Sequence, residues 1–296
     1  MKPAVTGIVS TRRSAWVVTL LVGAAPAIVA DRLVGTVPGW LLPVQLAVLL
    51  AVLLAGSRWP ALRPLRRFAV VMSAMLALLF VVPRLDLRWP VVRELFGGTV
   101  FDTRMQAEQA GKLLVAAIMI GVLLLLGLRR RDFFLAIGDL RAPIRPAPWL
   151  GFARPDPWWK FGLIWSVGIA SALAVALYLA GPPSTGFGSV TGMLPSIVFY
   201  AAVNAFTEEM TYRAPMVATL EPAVGGDQAI RLSAVYFGIA HYFGTPGGFV
   251  GAALSVFMGW ILGKAMIETR GLFWAWWIHF LSDVVIFTFL GVELAA

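Results

Sequence analysis

"MLPSIVFYAAVNAFTEEMTYRAPMVATL", Met193–Leu220, is apolar over most of its length yet carries Glu208, Glu209 and Arg213 near its middle. A run this long suits a helix crossing the roughly 30 Å hydrocarbon core of a bilayer. Ionised groups in such a helix are costly unless they face a polar interior shared with other helices. The stretch therefore implies both a spanning helix and a neighbourhood that needs its charges.

The rest of the chain fits that setting. Of 296 residues, 59% are hydrophobic and 13% charged, and the mean hydropathy is +0.84. This predicts an all-α protein, a polytopic transmembrane helical bundle, with candidate spans near 14–30, 40–56, 68–83, 113–128, 161–180, 193–220, 230–243, 249–265 and 272–290. Two of the nine are short, so the expected count is eight to nine. The first run follows Lys2, Arg12 and Arg13 and lacks a small-x-small cleavage site, so it reads as a retained span. Cysteine is absent, which removes thiolate nucleophiles and thiolate metal sites.

The net charge of +9 resides in short clusters between apolar runs: "TRR" (11–13), "RPLRR" (63–67) and "LRRRD" (128–132). That pattern is a topology signal and argues against nucleic acid as a partner. Most of the 24 basic residues fall in alternate connections, which puts the N-terminus in the cytoplasm and the C-terminus outside. Arg32, Arg84, Arg88, Arg93, Arg104 and Lys112 count as outer. Residues 84–111 read as an outer loop with a short interfacial helix. A proline- and arginine-rich cytoplasmic connection at 129–160 separates a four-span front, 1–128, of unknown role from a back part, 161–296. Trp274, Trp276 and Trp277 read as membrane anchors. "GWILG" (Gly259–Gly263) reads as a close helix contact, and "GFGSVTG" (Gly186–Gly192) has no preceding strand to make it a nucleotide loop.

Chemistry concentrates in three back spans, each presenting a pair four residues apart: Glu209 with Arg213, Phe237 with His241, and His279 with Asp283. Four apart is one helical face. At about 1.5 Å per residue, Glu208, both histidines and Asp283 fall roughly 10–18 Å below the inner surface. Glu209 and Arg213 are expected to neutralise each other, leaving Glu208, about 100° round the helix, available. Phe237 reads as a packing wall. A carboxylate with two imidazoles suits water activation and hence hydrolysis. The same Glu208, His241 and His279 suit a zinc site, and both alternatives stay open at this stage.

These residues resemble the CPBP intramembrane proteases, which include the CAAX prenyl endoproteases and bacteriocin-processing and immunity (Abi-like) proteins. "EEMTYR" (Glu208–Arg213) is similar to the EExxxR motif, "FGIAH" (Phe237–His241) to FxxxH, and "HFLSD" (His279–Asp283) to HxxxN/D. The signatures of zinc, aspartyl and rhomboid serine intramembrane proteases are missing. The resemblance implies a glutamic intramembrane endopeptidase without a cofactor, with zinc the alternative. Glu208 would be the general base, His241 its water-positioning partner, and His279 with Asp283 the oxyanion side, supported by Glu209 and Arg213. An aspartate at 283, unlike asparagine, donates a hydrogen bond only when protonated. The implied partners are the lipid bilayer and a membrane-associated protein or peptide substrate, and the implied location is a bacterial inner membrane. A proton-coupled transporter would need similar charges but also matched broken helices in two related halves. A catalytically idle immunity or binding protein on the same fold is the other alternative.

Overall fold

The computed structural model describes residues 2–181 and 187–295. It is helical, and among the described residues the only β pairing is two isolated bridges, Pro143 with Pro157 and Ala147 with Phe152. The helices are α1 (Lys2–Val22), α2 (Ala25–Val34), α3 (Leu41–Ala55), α4 (Arg66–Val81), α5 (Pro90–Leu95), α6 (Val100–Leu125), α7 (Trp158–Ala180), α8 (Leu194–Glu208), α9 (Ala214–Val224), α10 (Gly226–Ala240), α11 (Gly248–Thr269) and α12 (Phe273–Ala295).

Among the described residues, six helices are long and apolar enough to cross a bilayer: Arg63–Leu85, Val100–Leu125, Trp158–Ala180, Val190–Val224, Gly248–Thr269 and Phe273–Ala295. The chain is an integral membrane protein. The bent pair of α1 and α2 would make a seventh span. The expected eight to nine also counted 40–56 and 230–243, and both form helices, α3 and α10, of only 15 residues. Residues 84–111 were expected to be loop, but α6 begins at Val100 and carries Lys112 inside a span. Lys112 is therefore no outer-loop charge. The short helix expected in that region is α5. Of the glycine-rich "GFGSVTG", Gly186 lies outside the described residues, and Phe187–Met193 is a 3-10 turn.

The chain forms two compact units, neither continuous in sequence. The first comprises Met1–Leu78, Met119–Phe133 and Thr211–Lys264. Its α1 and α2 meet at a 43° bend, where Pro26 has no N–H to offer the preceding turn. Buried Gln45 of α3 meets the carbonyls left there, donating from Nε2 to Gly23 O at 2.9 Å and Leu21 O at 3.4 Å. Irregular backbone at membrane depth persists only when protein groups satisfy it in this way. α1 also braces α9 and α10: Arg12 Nε donates to Val224 O at 3.1 Å and Trp16 Nε1 to Gln228 at 3.0 Å. Helix contacts in lipid depend on close packing rather than on the hydrophobic effect. In this unit α10 and α11 achieve it through glycine. A methyl group on Gly259 would lie 3.2 Å from Ala234 Cα, and one on Gly263 would lie 3.3 Å from Ile230 Cγ2. "GWILG" is a helix contact, as its spacing indicates.

The second unit comprises Leu79–Ile118, Phe134–Met210 and Ala265–Ala296. Here the proline-rich connection is pinned to the end of α11. Glu268 accepts from Arg145 Nε at 2.8 Å and from Trp158 Nε1 at 3.0 Å. Trp274 is a packing residue rather than a membrane anchor. It is 4% exposed, donates to Leu140 O at 3.2 Å, and covers Gly162 so closely that a methyl there would sit 2.3 Å from its ring. Phe101 and Met105 of α6, Ile197, Tyr200 and Ala201 of α8, and Phe287 and Val292 of α12 form one buried cluster. That cluster fixes the spacing of the three helices that carry the site.

Gly238, between Phe237 and His241, gives the fold's sharpest test. A methyl there would lie 2.4 Å from Val256 N and 2.7 Å from its Cα, so backbone would have to yield. Gly238→Ala is expected to cost about 1–3 kcal/mol. A thermal midpoint of the detergent-purified protein unchanged from wild type would contradict the packing.

Candidate active site

The site begins with a change of helical pitch. α8 ends at Glu208, Glu209–Arg213 form one π turn, and α9 follows. Pro215 has no N–H for the Thr211 carbonyl and its ring crowds that carbonyl, which favours widening of the turn before it. Such π turns occur frequently at functional sites.

Glu208 and Glu209 flank one imidazole. His279 Nδ1–H donates to Glu209 Oε1 at 2.7 Å, while His279 Nε2 faces Glu208 Oε2 at 3.6 Å and Asp283 Oδ2 at 3.7 Å. The first is a charge-assisted hydrogen bond, and the other two exceed hydrogen-bond length. Successive residues point about 100° apart on a helix, and here that divergence takes them to opposite nitrogens of one ring. Glu209 sets the ring's orientation and tautomer, as carboxylates behind catalytic imidazoles do.

Three further side chains, not foreseen from sequence, complete the arrangement. Asn204, one turn before Glu208, donates from Nδ2 to Asp283 Oδ2 at 3.0 Å and to Glu208 Oε1 at 3.3 Å. Its Oδ1 accepts from Gln109 Nε2 at 3.0 Å and from Lys112 Nζ at 2.7 Å. Lys112 also reaches Glu208 Oε1 at 3.1 Å and Glu108 Oε1 at 2.9 Å. Asp283 thus acts as an acceptor toward Asn204, and the amide in this corner comes from α8. Signals for these residues were present: Asn204 and Glu208 are four apart, as are Glu108 and Lys112.

Burial separates the carboxylates. The Glu209 side chain is fully buried, Asp283 is 6% exposed, and Glu208 retains 14%. Glu208 is the accessible member, with a cation on one oxygen and an imidazole beside the other. The remaining motif residues, Arg213, Phe237 and His241, belong to the first unit. There the Arg213 guanidinium lies 4.5 Å over the Phe237 ring. His241 Nδ1 lies 2.9 Å from Phe237 O, and the two rings are 4.2 Å apart.

Fold and site together define a multi-span helical membrane protein with a carboxylate–imidazole–amide cluster inside its helices. Residues 189–285 match the model of the Rce1-like family, described as type II CAAX prenyl endopeptidase Rce1-like. The match agrees with the resemblance drawn from the three motifs, and the family it describes is one of CAAX-type membrane proteases, which are peptide hydrolases. None of the curated proteins and none of the solved structures matches the chain.

Glu209 is the member whose removal tests the architecture. Glu209→Ala leaves the Nδ1–H of His279 buried without that acceptor, which is expected to cost about 1–3 kcal/mol. Thermal unfolding of the purified protein measures it, and a midpoint equal to wild type would contradict the bond.

Proposed function

We propose that the protein is an intramembrane endopeptidase that hydrolyses a peptide bond of a membrane-associated protein or peptide with water activated by Glu208. The observation that carries the reading is the placement of Glu208: partly accessible, next to Lys112 and Asn204 through Oε1, and 3.6 Å from His279 through Oε2. Glu208 takes a proton from water, and the resulting hydroxide adds to the scissile carbonyl carbon. The carbon–nitrogen bond then breaks as Glu208 returns the proton to the leaving amine. His279, held by Glu209, faces the developing oxyanion, and Asn204 orients Asp283 beside it. The part of His241 in positioning water rests on its motif within the matched region, and Arg213 and Phe237 support it locally.

We take the reaction to be metal-free. The Lys112 ammonium occupies one side of Glu208, a neighbour that disfavours a divalent cation on the same carboxylate. The same reading keeps the N-terminus cytoplasmic, in a bacterial inner membrane.

Glu208→Gln is nearly isosteric but cannot accept the proton. It is expected to keep the wild-type folded yield while lowering cleavage of a membrane-tethered peptide by roughly 10²–10⁴-fold, and wild-type cleavage is expected to survive strong chelators. Full activity in Glu208→Gln would remove the mechanism. Stoichiometric zinc in active enzyme, lost together with turnover on chelation, would replace it with a zinc site.

A further inference from the structure

The first unit contains a second polar feature that the proposed chemistry does not use. A cavity of about 500 Å³ is lined by Arg63, Arg66 and Arg67 together with apolar residues, among them Leu53, Val70 and Leu126. Its volume lies in the range typical of small-molecule sites. Arg63 opens the span Arg63–Leu85, and Arg66 and Arg67 are the first residues of α4. Leu126 directly follows the last residue of α6, Leu53 stands near the end of α3, and Pro222 and Ala223, also in the lining, stand near the end of α9. One span begins and two spans end around this cavity, so it lies where hydrocarbon gives way to headgroups.

Its electrostatics are one-sided. Among the described residues none of the three arginines forms an ion pair, and no carboxylate lines the cavity. The Arg66 stem is seated against Gly56, where a methyl would fall 2.7 Å from Arg66 Cγ. The three arginines are exposed and have no carboxylate beside them in the lining, so the cavity carries a positive potential that attracts an anion. Guanidinium pairs with phosphate through two parallel hydrogen bonds. Basic pockets between membrane helices bind acidic headgroups for the same reasons.

We propose that this cavity is a binding site for the phosphate of an anionic phospholipid, with Arg63, Arg66 and Arg67 on the headgroup and the apolar wall against its glycerol and upper acyl chain. A phosphodiester joined to hydrocarbon matches both halves of the lining, whereas free phosphate matches only one. The site is independent of the protease reading, since none of its residues belongs to the carboxylate–imidazole cluster.

Native mass spectrometry of the full chain in mild detergent tests it, with phosphatidylglycerol, phosphatidylcholine or inorganic phosphate titrated separately. The expected result is a one-to-one phosphatidylglycerol complex that phosphatidylcholine forms much more weakly and that inorganic phosphate does not displace at equal concentration. The triple variant Arg63→Gln, Arg66→Gln, Arg67→Gln should bind phosphatidylglycerol at least roughly tenfold more weakly. The charge-matched triple Arg129→Gln, Arg130→Gln, Arg131→Gln should bind as wild type. Ala223→Leu keeps all three arginines and fills the cavity, so it should weaken binding too and serves where the triple variant does not fold. Equal binding of the two phospholipids, displacement by inorganic phosphate, equal loss in both triple variants, or undiminished binding in the cavity-filling variant would each overturn the proposal.

Discussion

The hydrogen bond from His279 Nδ1 to Glu209 Oε1, 2.7 Å long and fully buried on the glutamate side, is the constraint on which the site depends. Carboxylates inside a bilayer persist only where cations and hydrogen-bond donors surround them. Three helices meet that demand together. α12 supplies an imidazole, α8 an amide, and α6 an ammonium and a second amide. The aromatic cluster of Phe101, Tyr200 and Phe287 belongs to those same helices and sets their separation. Shifting any of them by a turn would leave a buried carboxylate without its donor. The packing and the polar network therefore specify the same register, which is the agreement between levels expected of a well-determined fold.

Glu208 and Glu209 show how adjacent identical residues acquire different work. One is wholly buried and fixes the ring. The other keeps partial access and takes its partners from different helices. The π turn that begins at Glu209 supplies the local geometry, and Pro215, two residues beyond its end, supplies a physical reason for it. The front of the chain contributes directly to this polar cluster, because Lys112 and Gln109 lie well before the region matched to the Rce1-like family. In the other unit α1 has a bracing task, holding the end of α9 and the start of α10 through Arg12 and Trp16.

What was legible in the sequence follows from what lies along a single helix. The long apolar runs identified the spans, the spacing in "GWILG" identified a helix contact, and the three motifs led to the family match. Lys112 was misread because a hydropathy window starts where polarity ends, whereas α6 begins a full three turns earlier. The Glu108–Lys112 spacing was the available sign of that extension. Asn204 stood at the head of the charged stretch, but its partners Gln109 and Asp283 lie on other helices, and one-dimensional spacing cannot join them. Trp274 resembled an interfacial anchor until its contact with Gly162 became visible. The pitch change at Glu209 had only Pro215 as its signal, since proline in such a position also fits a kink.

The central claim is that water activated at Glu208 attacks the peptide bond directly. Single-turnover cleavage of a membrane-tethered peptide by the reconstituted full chain in ¹⁸O-water, followed by mass spectrometry of both product and enzyme, tests it most directly. The account predicts one ¹⁸O in the new carboxyl terminus of the product and none in the Glu208 side chain. Label in the Glu208 carboxylate would mean a covalent acyl intermediate, and either that or the absence of any labelled product would contradict the account.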